Sequence, residues 1–369
     1  DHMEEYYVFD GNGFAGVFNT TNSGTFAMSF NMISTAFDNV DRTGDLQSDT
    51  YKEFLSARQT IAERCGDTRK GHIYPSDLPL GGLSYNPNGH ANMGYEVTEG
   101  TDGYGLTSQD VLIPAFLAAY SGTSSEAIFL DFIPSIKRMK PNWKVTFSGL
   151  NNVKALKRYA RNIELSHAYT SKYSIGSYMT NLDWQQAGDG LSYIRDMQNN
   201  FIPQFEAASV TLSEQFNPFL SISATMLNNM TASITNNRSR NIVLSLANNQ
   251  ITETYNREWT ISVGYRFDKL GLIFGKGEDA KEFNNDLNVT FSLSHRDNFT
   301  ILRRIEELDN ELASGNKNIG VKFSADYAFS QKFSMQLYYD QTLAKPYISS
   351  SYPTNNVNVG VSFQLSLSE

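Results

Sequence analysis

Gly11 to Gly16 (GNGFAG) is the segment whose residue types and spacing come closest to a chemical motif. It matches the dinucleotide-binding fingerprint, in which glycines let the backbone approach a pyrophosphate between a strand and the start of a helix. The residues that follow, Val17 to Thr20, have the pattern of extended chain instead of a helix. We therefore interpret the segment as a glycine-rich turn, and the sequence predicts no cofactor.

The other side chains capable of catalysis or metal binding are scattered. No pair of the five histidines has a spacing that assembles a zinc site. Cys65 is the only cysteine, so it has no disulfide partner within this chain, and we interpret it as a small buried residue and not as a reactive thiol. The acidic residues between positions 306 and 311 form a solvated face instead of a converging acid–base pair. The sequence thus predicts a protein that is not an enzyme, with no catalytic or metal-binding residue.

Strands are the elements that dominate the pattern. From Val357 to Leu367 every odd position is apolar and every even position is small or polar. The same rule returns in four other runs: Trp259 to Phe267, Leu287 to Leu293, Ile319 to Tyr327 and Phe333 to Tyr339. Successive side chains point to opposite faces of a strand, and several runs are longer than the strands of a soluble sandwich. The pattern predicts an all-β transmembrane antiparallel β-barrel segment, with one face in lipid and one in water.

Composition agrees with this prediction and excludes other classes. No stretch approaches the roughly 20 apolar residues of a membrane helix. Aromatic residues make up 13% of the chain, which suits girdles at the two membrane interfaces. A net charge of -9 argues against nucleic acid as a partner. The start at Asp1 shows no export signal, so we expect a processed protein or, preferably, part of a longer polypeptide located in the bacterial cell outer membrane.

Three regions are predicted along the chain. Residues 1–38 hold opening barrel strands, at Phe14 to Phe18 and at Phe26 to Phe37. Residues 39–142 form a partly helical insertion outside the hydrocarbon, which could cap or narrow a pore. Residues 143–369 return to barrel strands, which brings the expected total to about a dozen.

The insertion contains two predicted helices. An apolar stripe from Asp45 to Cys65 indicates the first, with Gly66 placed for a left-handed C-terminal cap. Ser108 is a candidate N-cap for a shorter helix through Val111 to Tyr120. Between Gly66 and Gly105 the abundance of glycine, proline, asparagine and aspartate predicts irregular backbone.

Three polar residues interrupt an otherwise apolar run of even positions: Asn236, Arg238 and Arg240. Either a turn lies at Asn236 to Ser239, or one long strand projects beyond the lipid. We expect the three side chains to contact lipid headgroups or a partner barrel instead of lipid tails, where unpaired polar groups are costly.

Successive loops of a barrel lie on alternate sides of the membrane, so we assign their sides by counting back from the C-terminus. If that end is periplasmic, Ala344 to Asn356 and Arg296 to Lys317 are external loops, and Phe329 to Gln331 is an internal turn. Tight turns are predicted at Asn217-Pro218 and Asn228-Asn229. An amphipathic helical stripe in the second external loop is a candidate docking helix or packs back on its own barrel. Its residues are Ile301, Leu302, Ile305 and Leu308.

Seven segments follow one another in a further pattern. They are 108–120 (SQDVLIPAFLAAY), 141–150 (PNWKVTFSGL), 165–169 (LSHAY), 213–218 (SEQFNP), 239–241 (SRN), 247–253 (ANNQITE) and 352–355 (YPTN). In order and spacing they resemble the C-terminal region of the SprA/Sov family, the outer-membrane translocon of the type 9 secretion system of Bacteroidetes. The resemblance covers residues 108 to 369 and is looser before them.

The resemblance implies a passive role in protein secretion and gliding motility. Family members are barrels of about 36 strands, so these strands would form only part of a wall. The implied function is a wide, water-filled, gated conduit that exports folded cargo proteins with a C-terminal secretion signal. The implied partners are the remaining N-terminal portion of the translocon, a PorV-type outer-membrane barrel, a periplasmic plug protein, the cargo, and lipid or lipopolysaccharide.

Two other interpretations stay open at this point. One is an outer-membrane porin or transporter for small solutes, closed by these strands alone. The other is a soluble β-sandwich adhesin. The first requires the strands to close on themselves, and the second requires the apolar faces to be buried against one another.

Overall fold

One antiparallel sheet contains the twelve strands that the described residues form. The computed structural model describes residues 2–5, 19–42, 44–70, 72, 101, 103–135, 137, 139–184, 186, 189–274, 281–330 and 332–366. The strands are β1 (His2–Glu5), β2 (Asn19–Met28), β3 (Trp143–Phe147), β4 (Ala160–Thr180), β5 (Phe205–Ala207), β6 (Ser209–Met226), β7 (Met230–Ser245), β8 (Gln250–Phe274), β9 (Lys281–Arg304), β10 (Asp309–Ala328), β11 (Phe333–Pro346) and β12 (Thr354–Leu365). The predicted glycine-rich turn at Gly11 to Gly16, the predicted strand at Phe14 to Phe18 and most of the predicted irregular stretch lie outside the described residues.

The order across the sheet is β1-β2-β4-β6-β7-β8-β9-β10-β11-β12. Two short strands, β3 and β5, pair with different parts of β4. From β6 to β12 every strand pairs with the next one in sequence, as a series of antiparallel hairpins. Within the described part of the chain β1 and β12 do not pair with each other, so the sheet is open. The predicted all-β fold class is confirmed at this level.

Several strands are long, and the register between β8 and β9 is continuous over most of its length. β8 has 25 residues and β9 has 24, and they pair without a shift from Gln250 to Phe267. A ladder without a slip keeps alternate side chains on one face throughout its length. β7 is a single strand, so the alternative of a turn at Asn236 to Ser239 is wrong.

The predicted turns near β6 have different outcomes. Asn228-Asn229 joins β6 to β7, as expected. Asn217-Pro218 lies inside β6, where the pairing with β7 is irregular between Phe216 and Leu220. A local bulge leaves backbone groups unpaired, so it accommodates a proline that has no N–H to donate.

Two helices lie in the insertion, and the first is α1 (Asp49–Asp67). It begins later than predicted because Ser48 is the N-cap, with its hydroxyl accepting a hydrogen bond from the Tyr51 N–H at 3.1 Å. The predicted cap at Gly66 is wrong, since the helix continues through that residue and ends at Thr68 in the right-handed region.

The second helix is α2 (Gln109–Ser121). Ser108 occupies its N-cap position as predicted, although the serine side chain makes no capping hydrogen bond. The helix ends at Gly122, whose φ of 65° is left-handed, and where an added Cβ would clash with the Ser34 hydroxyl. Among the described residues, no helix has both the length and the apolarity of a membrane span.

We define the helical module as α1, α2 and residues 29–48. The residues of α2 from Val111 to Ser121 are all buried, and a helix that is apolar on every side must be enclosed. One continuous core joins α2 to α1 through Phe54 and Ile61, and joins both to the sheet. The strand residues in that core are Met28, Tyr173, Ile175, Ala207, Val210, Leu212, Ile242, Leu244 and Ile251. Module and sheet are therefore packed as one body.

Cys65 lies where α1 meets α2. Its Sγ is 3.7 Å from the backbone carbonyl oxygen of Asp110. Pro114, four residues further on, has no N–H with which to bond that carbonyl, so the thiol supplies the missing donor. Burial raises the pKa of Cys65 to about 12, and the group therefore stays a neutral thiol. Both facts agree with the predicted buried, unreactive cysteine.

We expect Cys65 to resist iodoacetamide in the folded protein and to react fully after denaturation, because the thiolate is the nucleophile and burial suppresses it. Mass spectrometry after timed alkylation at pH 8 measures this. A Ser56→Cys variant, on the exposed side of the same helix, serves as the control and is expected to be labelled quickly. Equal labelling of the two cysteines in the folded protein would contradict the assignment.

Candidate functional site

The register of β8 defines two faces of the sheet. Its odd residues from Ile251 to Phe267 share one face, because the ladder with β9 has no slip over that range. At one end of this face Glu253 accepts a hydrogen bond from Tyr120 of α2. At the other end Trp259 and its odd neighbours are exposed. The helical module and these exposed side chains thus occupy the same side of the sheet, which we call the module face; the other side is the polar face.

Exposed apolar side chains form a continuous band on the module face. In β8 the odd residues from Trp259 to Phe267 are each 38–47% exposed. Ile261 lies directly opposite Ile234 of β7 and Leu293 of β9, and the rows continue to β12. We define the apolar band as Ile222, Ile234, Trp259, Ile261, Val263, Tyr265, Phe267, Phe291, Leu293, Ile319, Leu337, Leu343, Val357, Val359, Val361, Phe363 and Leu365. A patch of this extent marks an interaction surface.

Aromatic rings gather at both edges of the apolar band. The edge nearest the module has ring pairs Trp143–Tyr169 (4.4 Å between centroids), Tyr169–Phe216 (4.9 Å) and Phe216–Phe219 (5.5 Å). The far edge has Tyr265–Phe267 (4.6 Å), Tyr327–Phe329 (4.8 Å), Phe329–Phe333 (5.3 Å) and Phe333–Phe363 (6.0 Å). The middle of the band is mostly aliphatic. Aromatic edges around an aliphatic centre are typical of surfaces that meet a bilayer.

The polar face presents small neutral side chains in rows. One row crosses seven strands as Ser221, Thr235, Thr260, Ser294, Gly320, Thr342 and Asn356. Hydroxyls of facing residues bond to each other, as at Ser262–Ser292 (2.9 Å). Some charges on this face are paired, such as Lys322–Asp340 at 3.3 Å, and Asp326 is bonded by the neutral side chains of Ser324 and Gln336. The face is therefore wettable.

An ionic seat joins the helical module to the sheet; we define it as Glu214, Arg240, Glu253 and Arg303. Glu253 and Arg303 are each 0% exposed, and Arg303 Nη2 is 2.8 Å from Glu253 Oε2. Other polar atoms of this pair bind the module, whereas Arg303 Nε is buried without a hydrogen-bond partner. Arg303 Nη1 donates to the Leu46 carbonyl at 2.8 Å, and its guanidinium lies over the Tyr51 ring.

The second half of the ionic seat has the same design. Arg240 Nε is 2.6 Å from Glu214 Oε2. The Arg240 guanidinium also donates to the carbonyl oxygens of Met32 and Thr35, at 3.0 and 2.8 Å. Tyr169 completes the group, since its hydroxyl donates to Glu214 and accepts from the Met32 N–H. Buried charges are tolerated here because each is paired and hydrogen-bonded.

Tyr120 connects α2 to the first half of the seat. Its hydroxyl donates to Glu253, and burial raises the pKa of Tyr120 well above its ordinary value, with the negative charge of Glu253 acting in the same direction. The phenol therefore remains a hydrogen-bond donor at any pH the protein meets. The hydrogen bond from Tyr120 therefore attaches α2 to Glu253, the carboxylate that is paired with Arg303.

The three predicted contact residues on β7 are in different environments. Asn236 and Arg240 are 1% and 5% exposed, so the expectation that they touch headgroups or a partner barrel is wrong. Both are covered from within the chain: Arg240 bonds residues 32–35, and the Asn236 side-chain amide donates to the Glu258 carbonyl. Arg238 is only half-buried, with its guanidinium 5.1 Å from the centre of the Phe37 ring.

Sequence reasoning missed three cations that share a row with Arg238. Arg238 lies opposite Arg257, and Lys317 lies opposite Lys345, with Asp297 between the two pairs. We define the cationic row as Arg238, Arg257, Lys317 and Lys345. Arg257, Lys317 and Lys345 each lie two residues before or after an apolar run, on the same face of the strand. Arg257, for example, precedes Trp259 by two residues. That position was the signal available in the sequence.

The predicted docking helix is wrong. Ile301 and Leu302 lie in β9, and Ile305 and Leu308 lie in the turn that joins β9 to β10. Ile301 and Ile305 are buried in cores beneath the helical module, and Leu308 is exposed at the tip. The apolar residues have the spacing of a helix because the strand, with its period of two, is followed at once by a tight turn. The turn shifts the next apolar positions away from that period.

Comparison with known proteins adds no assignment for this arrangement. No protein-family model matches the chain, and no curated protein matches its sequence.

We expect Arg303→Met to destabilise the protein by about 3–5 kcal/mol, because Glu253 would stay buried without its counter-charge. The double variant Arg303→Met/Glu253→Gln removes both charges and is expected to recover most of the loss. Thermal unfolding of the purified protein in detergent measures both, and limited proteolysis of α1 and α2 reports release of the module.

Arg304→Met is the matched control for this prediction. Arg304 is the next residue in the chain, and its ion pairs with Glu307, Asp309 and Glu311 are on the surface. Surface pairs contribute little, so only a small change is expected. The ionic seat would lose its assigned role if Arg303→Met were no more harmful than Arg304→Met.

Proposed function

We propose that the apolar band lies in lipid and that this sheet forms part of the wall of a protein-conducting pore in a bacterial outer membrane. The observation that carries the proposal is the division of the sheet into an aromatic-edged apolar band on one face and hydroxyl rows on the other. Membrane-spanning barrels place apolar side chains outward and polar side chains toward the lumen in this way.

The height of the band supports the proposal. From Arg257 in the cationic row to Phe267 at the far aromatic edge, β8 advances about 34 Å at about 3.4 Å per residue. With a strand tilt of about 40°, this becomes about 26 Å across the membrane. An outward apolar band of about 25 Å is usual for such barrels.

The type of pore is inferred from three features taken together. The described sheet is open, so further strands must complete a closed wall; we assign them to the remaining N-terminal portion of a longer translocon. The polar face carries small neutral groups, which keep a wide lumen wet without holding any one protein. The sequence also resembles the SprA/Sov translocon of type 9 secretion in its C-terminal region.

Five of the seven resembling segments contain residues that attach the module to the sheet. Tyr120 closes the first of them, Tyr169 closes another, and Glu214 lies in a third. Arg240 and Glu253 lie in two more. These are the residues of the ionic seat and two of its three tyrosine partners; Arg303 and Tyr255 lie outside the resembling segments. The resemblance therefore follows the contacts that attach the helical module, which supports a shared architecture.

The position of the module differs from the expectation that the insertion caps or narrows a pore. The module covers the module face, on the same side as the apolar band, and the polar face lies on the other side of the sheet. In the proposed wall the module thus stands on the outer side, next to the membrane surface. In this proposal a PorV-type barrel, a periplasmic plug protein and folded cargo with a C-terminal secretion signal remain the partners.

Two neighbouring residues of β8 test the orientation of the wall. In intact cells we expect a cysteine at Thr260→Cys, on the polar face, to react with a water-soluble maleimide. A cysteine at Ile261→Cys, in the apolar band, is expected to react only with a lipid-soluble maleimide. Cys65 is buried and does not compete. Equal reaction of both positions with the water-soluble reagent would remove the lipid face and favour a soluble adhesin.

A photo-crosslinking residue at the same two positions tests which molecules pass through the pore beside the wall. At Thr260 we expect adducts with secreted proteins that carry the C-terminal signal, caught during export. At Ile261, the matched position, we expect lipid adducts and no cargo. Conductance for small solutes without any cargo adduct at Thr260, from a chain that migrates as a heat-modifiable closed barrel, would instead identify a porin.

A further inference from the structure

The cationic row is a charge arrangement that the fold leaves unbalanced. Arg238 of β7 lies directly opposite Arg257 of β8, and Lys317 of β10 lies directly opposite Lys345 of β11. Like charges that face each other across a ladder destabilise a sheet. A bound anion would offset this repulsion at both pairs.

The chain itself provides little compensation. Asp297 lies between the two pairs, and Arg42 neutralises it with Nη1 3.1 Å from Oδ2. The Tyr347 hydroxyl also donates to Asp297. Among the described residues, no member of the cationic row forms an ion pair with a carboxylate. The row therefore retains a net positive charge.

The position of the row indicates where the anion comes from. Each of three cations lies two residues along its strand from an apolar residue on the same face. The pairs are Arg257 and Trp259, Lys317 and Ile319, and Lys345 and Leu343. All three neighbours are exposed members of the apolar band. The row thus follows the edge of the band that is nearest the helical module, at the level expected for lipid headgroups in the proposed membrane orientation.

The side chains are also suited to this level. Arg238 lies over the rings of Phe37 and Phe219, and Lys317 lies over Tyr347, so their apolar parts rest on aromatic surface. Long cationic side chains in such places keep their stems on apolar groups and their charged ends in the interface. From β7 to β11 the row spans about 19 Å at about 4.8 Å per strand, which leaves room for more than one headgroup.

We propose that the cationic row binds the phosphate groups of anionic lipids in the leaflet that borders the helical module. This inference rests on the proposed function, because it requires the apolar band to lie in lipid. Guanidinium and ammonium groups bind phosphate by charge-assisted hydrogen bonds. Bound phosphates would remove the repulsion within each cationic pair.

The test compares lipid retention by the protein in its native assembly. Parent and Arg257→Gln/Lys345→Gln proteins are reconstituted in nanodiscs of mixed phosphatidylcholine and phosphatidylglycerol, and native mass spectrometry counts the lipids that remain bound. We expect the retained ratio of anionic to neutral lipid to fall about fivefold for each cation removed, which corresponds to about 1 kcal/mol per cation. Lys322→Gln, on the polar face of β10 and already paired with Asp340, is the control and is expected to retain the parent ratio.

A second measurement separates lipid binding from a structural role of the two cations. In a neutral detergent the double variant should be at least as stable to heat as the parent, because repulsion is relieved. In anionic nanodiscs it should be less stable than the parent. A loss of stability in both conditions, or an unchanged lipid ratio, would overturn the inference and leave the proposed function intact.

Two further outcomes are decisive. If inorganic phosphate in neutral detergent stabilises the parent as strongly as anionic nanodiscs do, the row binds free phosphate, and the lipid assignment is wrong. If the protein stays in solution without detergent and does not enter nanodiscs, the proposed function fails, and this inference fails with it.

Discussion

The antiparallel register of the central strands commits their residues to one of two faces, and the rest of the architecture depends on this constraint. In β8 and β9 no slip occurs from Gln250 to Phe267, so a side chain near the helices and one far from them share a face. A slip of one residue would place the apolar band on the opposite side from the module core. The continuity of the ladder therefore makes the module core and the band two parts of one apolar surface.

That surface is covered in two ways. At one end the helical module covers it, and α2, which is apolar on every side, is enclosed between α1 and the strands. At the other end the apolar side chains stay exposed, and in the proposed function lipid covers them. The cationic row lies at the junction, where a lipid surface would end and the protein cover begins. Along a single strand, the module face would thus contact first the helical module, then lipid headgroups and then lipid hydrocarbon.

The ionic seat is the polar exception within the apolar surface. Burying two carboxylates and two guanidiniums is unfavourable in itself, and the arrangement is tolerated because backbone carbonyls of the module and three tyrosines bond most of its polar atoms. A purely apolar seat would leave those carbonyls unpaired. The seat consequently determines where the module sits on the sheet, whereas apolar packing alone would allow it to slide.

The sequence by itself determined the faces of the sheet and the existence of both helices. A period of two and a stripe of period 3.6 are local properties, so Trp259 to Phe267 and the stripe of α1 could be assigned without tertiary contacts. The same locality explains a failure: Ile301 to Leu308 imitates a helix because a strand and a turn follow each other. Cations one alternation away from an apolar run, such as Arg257, were also visible in principle.

Only the tertiary structure decided what covers each part of the apolar face. Arg240 is buried by a segment 205 residues away in the chain, and Arg303 by one 257 residues away. No local pattern reports a contact of that range, because burial depends on which distant backbone groups arrive to accept the hydrogen bonds. For the same reason the insertion could be recognised as helical, but its place on the module face, opposite the polar face, had to come from the packed chain.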